Sequence, residues 1–364
     1  MKWLVFPCLM LLLASCQKDI SSLANPSATS TPASFPKRVQ SPFGVMITGI
    51  PDNDKIIVAK SLGVNKVRAE ITLNGFSQLQ PYIDSLKNDG LDVITNFDYY
   101  GPATKALPFM RSPSAIATGI SGVLKQYQPY LVAVENEEVN AQNYSGSVQG
   151  YINELTAATH FLHANNIKVT NGGLTEEVLC ILVYRDYLSR GLTAQAADFA
   201  KRTMPSAIIN SLPSLSNYPG LANRVLAADT LVRAYKNIDL DYINFHWYEP
   251  VIERWPDVPY GVSNVQHVDT RAMAEVMNYL SKATGKTVIS NEVGELTDSP
   301  GIVQDIMTQF AALQTPYVIW YSGDGHHKNW SNAVALNNPD GSLRDNGKAF
   351  LNFLQSNYSS GHGQ

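Results

Sequence analysis

The sequence predicts a (β/α)8 TIM barrel with a helical insertion after its fifth strand. Three observations lead there. Short apolar runs alternate eight times with amphipathic stretches, the order of a parallel sheet with helical crossovers. The runs are apolar on both faces, as strands covered by helices require. No glycine-rich phosphate loop follows the first run, which argues against an open doubly wound sheet. Eight parallel strands close a barrel, and α/β barrels of this length, 364 residues, commonly fold as one domain.

The elements follow in order. The first strand is predicted over 43–48 and the first helix over 52–62, where Gly63 stops it. Strand 66–71 leads to helix 76–88, closed by Gly90. Strand 91–97 leads to helix 114–127, and strand 130–136 to helix 148–164. The fifth strand, 167–172, opens into residues 176–238, which hold two or three helical segments broken around Pro213 and Pro219. On a barrel such an insertion rises over the face where sites form, so it reads equally as a cleft wall or as scaffolding. Strand 242–247, helix 272–283, strand 287–291, helix 302–313, strand 317–321 and helix 347–354 complete the eight units.

The first residues belong to no fold. Lys2 gives a positive start, and residues 3–14 are almost wholly apolar, too short for a mature membrane span and suited to a signal peptide. Leu13-Ala14-Ser15-Cys16 resembles the lipobox of bacterial lipoproteins, which implies that Cys16 is the lipidated residue of the mature chain. Gln17-Lys18-Asp19 resembles the charged export tag of surface lipoproteins in the Bacteroidetes. Residues 20–40 are rich in Ser, Thr, Ala and Pro, have no apolar period and read as a flexible tether. The expected organisation is a signal peptide over 1–15, a tether over 16–40 and a barrel over 41–364. The barrel would be held at the cell envelope by a lipid anchor in the membrane, at the outer-membrane surface.

Composition narrows the function. Charged residues make up 16% and the formal net charge is −4, with no basic run, so nucleic acid is not an expected partner. Of three cysteines, Cys8 leaves with the signal and Cys16 is the expected anchor. Cys180 then has no disulfide partner, and within its apolar run it reads as a core thiol.

Catalytic groups on a barrel gather at the C-terminal ends of its strands. Strand two ends near Arg68 and Glu70, and strand three in Asn96-Phe97-Asp98-Tyr99-Tyr100. Strand four ends in Glu135-Asn136-Glu137-Glu138, and strand six in His246-Trp247-Tyr248-Glu249. Strand seven ends in Asn291-Glu292-Val293-Gly294-Glu295, and strand eight in Trp320-Tyr321, followed by Asp324, His326 and His327. Carboxylates on strands four and seven face each other across a barrel mouth. Such a pair can cleave a glycosidic bond: one carboxyl protonates the leaving oxygen while the other attacks the anomeric carbon. Retaining enzymes hold the two about 5–5.5 Å apart and inverting enzymes about 6.5–9.5 Å. Adjacent histidines rarely ligate one ion, and there is no CxxC or recurring Asp/His cluster, so neither a metal nor another cofactor is expected.

These strand ends resemble those of the large clan of retaining (β/α)8 glycosidases, over residues 42–355 and by element order more than by identity. Asn136-Glu137 matches the clan's Asn-Glu at strand four, and Glu292, in Glu-x-Gly, its strand-seven Glu. The resemblance implies Glu137 as acid/base and Glu292 as nucleophile. It further implies that Arg68 keeps the nucleophile ionised, that His246 and Tyr248 flank it, and that Trp320 floors the sugar site. Asn136 would bond the sugar 2-hydroxyl, and Asp98, Trp247, Tyr99, Tyr100 and Trp330 are candidates for further glycan contacts. The clan usually has Pro after the acid/base Glu, where this chain has Glu138. That leaves Glu138 and Glu135 as rival acids, and Glu295 as a rival nucleophile. The expected function is retaining hydrolysis of a β-linked glycan, endo-acting because long loops suggest a cleft. The alternative is a non-catalytic glycan-binding lipoprotein on a degenerate barrel.

Overall fold

The computed structural model describes residues 41–73, 81–99, 112–212, 214–255, 258, 264–323 and 334–358. Eight parallel strands surround its axis: β1 (Phe43–Ile47), β2 (Lys66–Thr72), β3 (Asp92–Asp98), β4 (Leu131–Val134), β5 (Lys168–Asn171), β6 (Tyr242–Glu249), β7 (Thr287–Glu295) and β8 (Val318–Ser322). They are hydrogen-bonded in the order β5-β4-β3-β2-β1-β8-β7-β6. The last seam is closed just beyond β5, where Leu174 bridges Phe245 in parallel. There Leu174 N–H donates to Asn244 O at 3.3 Å, and His246 N–H donates to Leu174 O at 2.9 Å. The fold is the (β/α)8 barrel that the sequence predicts.

The helices are α1 (Asp52–Ser61), α2 (Pro81–Asn88), α3 (Pro113–Leu124), α4 (Val148–His163), α5 (Glu176–Ser189), α6 (Thr193–Thr203), α7 (Ser206–Ser211), α8 (Pro219–Tyr235), α9 (Arg271–Thr284), α10 (Pro300–Ala312) and α11 (Asp345–Asn357). Local chemistry sets several of their ends. Ser112 and Ser147 accept the N–H of Ala115 and Gly150 with their hydroxyls, capping α3 and α4. Gly285, at φ 74°, ends α9 in the left-handed region that glycine enters at no steric cost.

The insertion holds four helices rather than two or three. Gly191, at φ 73°, lies between α5 and α6, and Pro205 precedes α7. Pro219 does not break a helix but starts α8, where its fixed φ and missing N–H suit the first turn. Pro213 lies outside the described residues. Helix α8 packs beside α4 and α9, and α5 against α6, α8, α9 and β6. Eight successive α5 residues, 176–183, are buried, so this first helix of the insertion is scaffold.

Each strand divides its side chains between two environments. Val132, Val134, Phe245, Trp247, Val318 and Trp320 pack outward in the core shared with the helices. Met46, Ile94, Leu131, Ile289, Tyr317 and Ile319 form a separate apolar cluster inside the barrel. Other buried strand residues are polar: Asn96, Asn171, Asn244, His246 and Asn291. Strand β4 is shorter than predicted because Glu135 turns to φ 63° and Glu137 to φ 43°. Both are uncommon values for non-glycine residues, of the kind that collects at functional sites. Among the described residues, no helix is long and apolar enough to cross a membrane. The predicted signal, Cys16 and the tether lie outside those residues.

Candidate active site

A carboxylate oxygen of Glu137 and one of Glu292 lie within 4.8 Å of each other, with a ring nitrogen of His246 inside the same limit. Glu292, on β7, is held from two sides. Arg68 Nη1 donates to its Oε2 at 2.7 Å, and Tyr248 OH donates to its Oε1 at 2.7 Å. Arg68, on β2, also reaches Asn291 O at 3.1 Å, Asn136 Oδ1 at 3.0 Å and Glu70 Oε1 at 3.2 Å. The glycine of Glu-x-Gly has a steric reason here. A Cβ on Gly294 would come within 2.5 Å of the Tyr248 ring.

Glu137 is held differently. Its Oε1 lies 3.2 Å from His246 Nδ1, and its Oε2 accepts from Asn140 Nδ2 at 2.7 Å and Asn143 Nδ2 at 2.5 Å. His246 Nε2 lies 3.0 Å from Asn291 Oδ1, which also accepts from Asn244 Nδ2 at 2.7 Å. Asn291 Nδ2 continues the chain to Asn96 Oδ1 at 3.0 Å. Gly173, at φ 122°, lies beside the imidazole, and any Cβ there would overlap His246 Nε2.

The electrostatics follow from these contacts. Burial pushes the Glu137 carboxyl up, but the His246 hydrogen bond and charge, with Arg254 and Asn140 behind them, bring it below the ordinary carboxyl range. Burial likewise opposes ionisation of Glu292, and the charges of His246 and Arg68 overcome it. Burial lowers His246, while Glu292 and Glu137 raise it further than burial lowers it. These directions favour two ionised carboxylates beside a protonated imidazole, with one proton shared between His246 and Glu137.

Glu137, His246 and Glu292 also have donor types that ligate cations. Three of their four carboxylate oxygens, however, already accept from Arg68, Tyr248, Asn140 or Asn143, and a guanidinium lies 2.7 Å from Glu292. The arrangement suits proton transfer and charge stabilisation.

The rival carboxyls lie elsewhere. Glu138 accepts from Asn171 Nδ2 at 2.8 Å and from the Tyr235 hydroxyl, so it ties β5 to α8. Glu135 is fully buried, and burial together with Asp98 and Glu154 raises its pKa well above the usual range. Glu295 takes the N–H groups of Thr297 and Ser299 and the amide of Asn346, and burial lifts it to about 7.

Arg68, Asn136, Glu137, His246, Tyr248 and Glu292 thus come together as the sequence places them. Three candidates do not join them. Trp320 is 1% exposed and packs edge-on against Phe350 of α11 at 5.9 Å, so it cannot floor a sugar. The strand-eight aromatic near the site is its neighbour Tyr321, whose hydroxyl lies 3.3 Å from Thr48 Oγ1 and whose pKa is raised by burial and, less, by Glu292. Trp247 is buried outside the barrel wall and donates to Glu249 Oε1 at 2.8 Å. Asp98 is 1% exposed and without a hydrogen-bond partner for its carboxyl among the described residues. Burial and Glu70 raise its pKa well above the usual range, against the opposing charge of Arg68. Tyr99 is half-buried. Tyr100, Asp324, His326, His327 and Trp330 lie outside the described residues.

Sequence reasoning missed Asn140, Asn143 and Asn291. For Asn291 a signal existed: predicted strands three, four, five and seven all carry Asn near their C-terminal ends, at 96, 136, 171 and 291.

No family model matches the chain, and no curated protein matches it. Solved structures do. An endo-β-1,3-glucanase of GH128 subgroup II from Sorangium cellulosum superposes with a TM-score of 0.50 at 11% identity, over 85% of this chain and 98% of that one. The β-glycosidase BGL167 gives 0.52 at 13%, over 86% and 87%. The Pseudomonas stutzeri endoglucanase Cel5A gives 0.52 at 12%, over 86% and 93%. At these identities the likeness establishes the fold, a barrel of the kind that these glycoside hydrolases share.

Proposed function

We propose that the chain is a retaining glycoside hydrolase that cleaves β-linked polysaccharides or oligosaccharides by double displacement, attacking within the glycan chain. One observation carries the reading: two carboxylates approach within 4.8 Å across the mouth, and the one on β7 is paired with a buried arginine and a tyrosine hydroxyl. That approach is consistent with the separation of about 5–5.5 Å in retaining sites rather than the wider inverting one. Glu292 attacks the anomeric carbon as Glu137 gives a proton to the departing glycosidic oxygen. Glu137 then takes a proton from the water that attacks the glycosyl ester, and Glu292 leaves as carboxylate. Asn136 Oδ1 accepts from Arg68 Nη2, and its amide N–H, with no hydrogen-bond partner among the described residues, is left to bond the sugar 2-hydroxyl.

The glycan-binding alternative loses its main support, because Glu138 is engaged with Asn171 and Tyr235 rather than displacing Glu137. The test is hydrolysis of β-glucans, mannans, xylans, galactans and aryl β-glycosides, with NMR of the first-formed anomer. Release of the β-anomer is expected, with activity down about 10²–10⁴-fold in Glu137→Gln and at least as far in Glu292→Gln. A first-formed α-anomer would sink the retaining mechanism, and tight glycan binding without hydrolysis would favour the alternative.

We further propose that Cys16 carries a lipid and tethers the barrel to the bacterial envelope, from the apolar run that ends in Ala14-Ser15-Cys16. Mass spectrometry of the mature N-terminus tests it; a first residue other than a diacylglyceryl Cys16 would exclude the anchor.

A further inference from the structure

We propose that Asn140 and Asn143 are positioning residues that determine which oxygen of Glu137 carries the catalytic proton and lower the pH above which that proton is lost. The proposal rests on the hydrolase reading above.

Both side-chain amides aim at one atom. Asn140 Nδ2 and Asn143 Nδ2 donate to Glu137 Oε2 at 2.7 and 2.5 Å. Asn140 cannot turn its oxygen inward without loss, because Oδ1 accepts Gln142 N–H at 3.1 Å. Nor is the turn that carries the two free to drift. Asn140 N–H donates to Glu137 O at 2.7 Å, and Asn140 O accepts the N–H groups of Asn143 and Tyr144 at 2.9 and 2.8 Å. Tyr144 is buried, donates to Glu154 Oε2 on α4 at 2.9 Å and packs edge-on to Tyr151 at 5.3 Å. The amides are thus set before any substrate arrives.

A carboxylic O–H needs an acceptor, and Oε2 faces two donors. In the acid form the shared proton therefore sits on Oε1, opposite His246 Nδ1 at 3.2 Å, and the imidazole that has given it up accepts it there with the Nδ1 lone pair. In the acid step this proton passes from Oε1 to the glycosidic oxygen as the bond to the anomeric carbon breaks, leaving Glu137 as the carboxylate that the amides stabilise. Donors to an ionised carboxylate favour that form, so the amides also weaken proton retention.

The experiment compares the parent protein with Asn140→Ala, Asn143→Ala and the double variant. It has two readouts. One is carbon-13 NMR titration of the Glu137 carboxyl, assigned with Glu137→Gln, which requires no activity. The other is the alkaline limb of the kcat/KM profile. Loss of each amide should move the Glu137 carboxyl titration upward, by about one pH unit in the double variant, and move the alkaline limb the same way by less, because that limb belongs to the proton shared between Glu137 and His246. Among the described residues the Asn143 side chain makes one hydrogen bond, to Glu137, and its loss leaves Tyr144 in place, so Asn143→Ala keeps the test alive if Asn140→Ala does not fold. If kcat falls while titration and limb stay where they were, the amides merely hold the loop and the proposal is overturned. If the titration shifts but no substrate is cleaved, the hydrolase reading fails while the amide effect on Glu137 stands.

Discussion

Glu292 on β7 and Glu137 beyond β4 face the same imidazole, yet they are fastened by different chemistry. Glu292 has a guanidinium at 2.7 Å and a phenol at 2.7 Å, and both lie on strands. Glu137 has two amides and a histidine, and it leaves its strand through a left-handed turn. A guanidinium never gives up its charge at any working pH, so it holds the carboxylate beside it ionised through the whole cycle. Amides and an imidazole hold a carboxylate only while the proton rests on the imidazole. The nucleophile needs the first kind of environment, because it attacks and leaves as an anion. The acid/base needs the second, because it must change state twice in each turnover.

Removing the cation is the most severe way to break this contrast. Glu292 is held below the ordinary carboxyl range, so it contributes stability above the unfolded value of about 4.3 and loses it as pH falls through the folded value. Arg68→Met weakens that hold. The buried carboxylate is left with Tyr248 and His246, its pKa climbs, and the acid limb of kcat/KM moves to higher pH. At neutral pH kcat/KM should drop by about a hundredfold or more, since breaking a buried ion pair leaves one charge uncompensated. An acid limb that stays put in this variant would show that Arg68 does not set the charge of Glu292.

Much of this was legible in the sequence, because eight units of alternating pattern fix which residues end each strand. Arg68, Asn136, Glu137, His246, Tyr248 and Glu292 were all found at such ends. What the pattern concealed was phase. When a strand is apolar on both faces, hydrophobicity does not reveal which row turns inward. Side-chain alternation could have decided two cases. If His246 and Tyr248 point inward, Trp247 between them points out, as observed. Trp320 pairs with Val45, which faces the outer core, whereas Tyr321 pairs with Met46 of the interior cluster. Asn140 and Asn143 lay beyond any period, because they sit in a turn whose course depends on the two positive φ values at Glu135 and Glu137. The rival carboxyls could be set aside only from their partners: Tyr235 lies 97 residues from Glu138 in the chain.

The phenol supplies the finer test. Tyr248 OH donates to Glu292 Oε1, and burial together with the Glu292 charge raises its pKa well above the usual range. It therefore stays a neutral donor wherever the enzyme works. Tyr248→Phe removes one hydrogen bond and leaves the guanidinium in place. A hydrogen bond to a charged group contributes about 1.5–3 kcal/mol, so kcat should fall about ten- to a hundredfold. The acid limb should rise by less than in Arg68→Met, because a dipole is lost rather than a charge. If Tyr248→Phe cost more than Arg68→Met, the guanidinium would not be the main support of the Glu292 charge. The contrast between a permanently charged nucleophile and a switchable acid would then have to be drawn from the tyrosine instead.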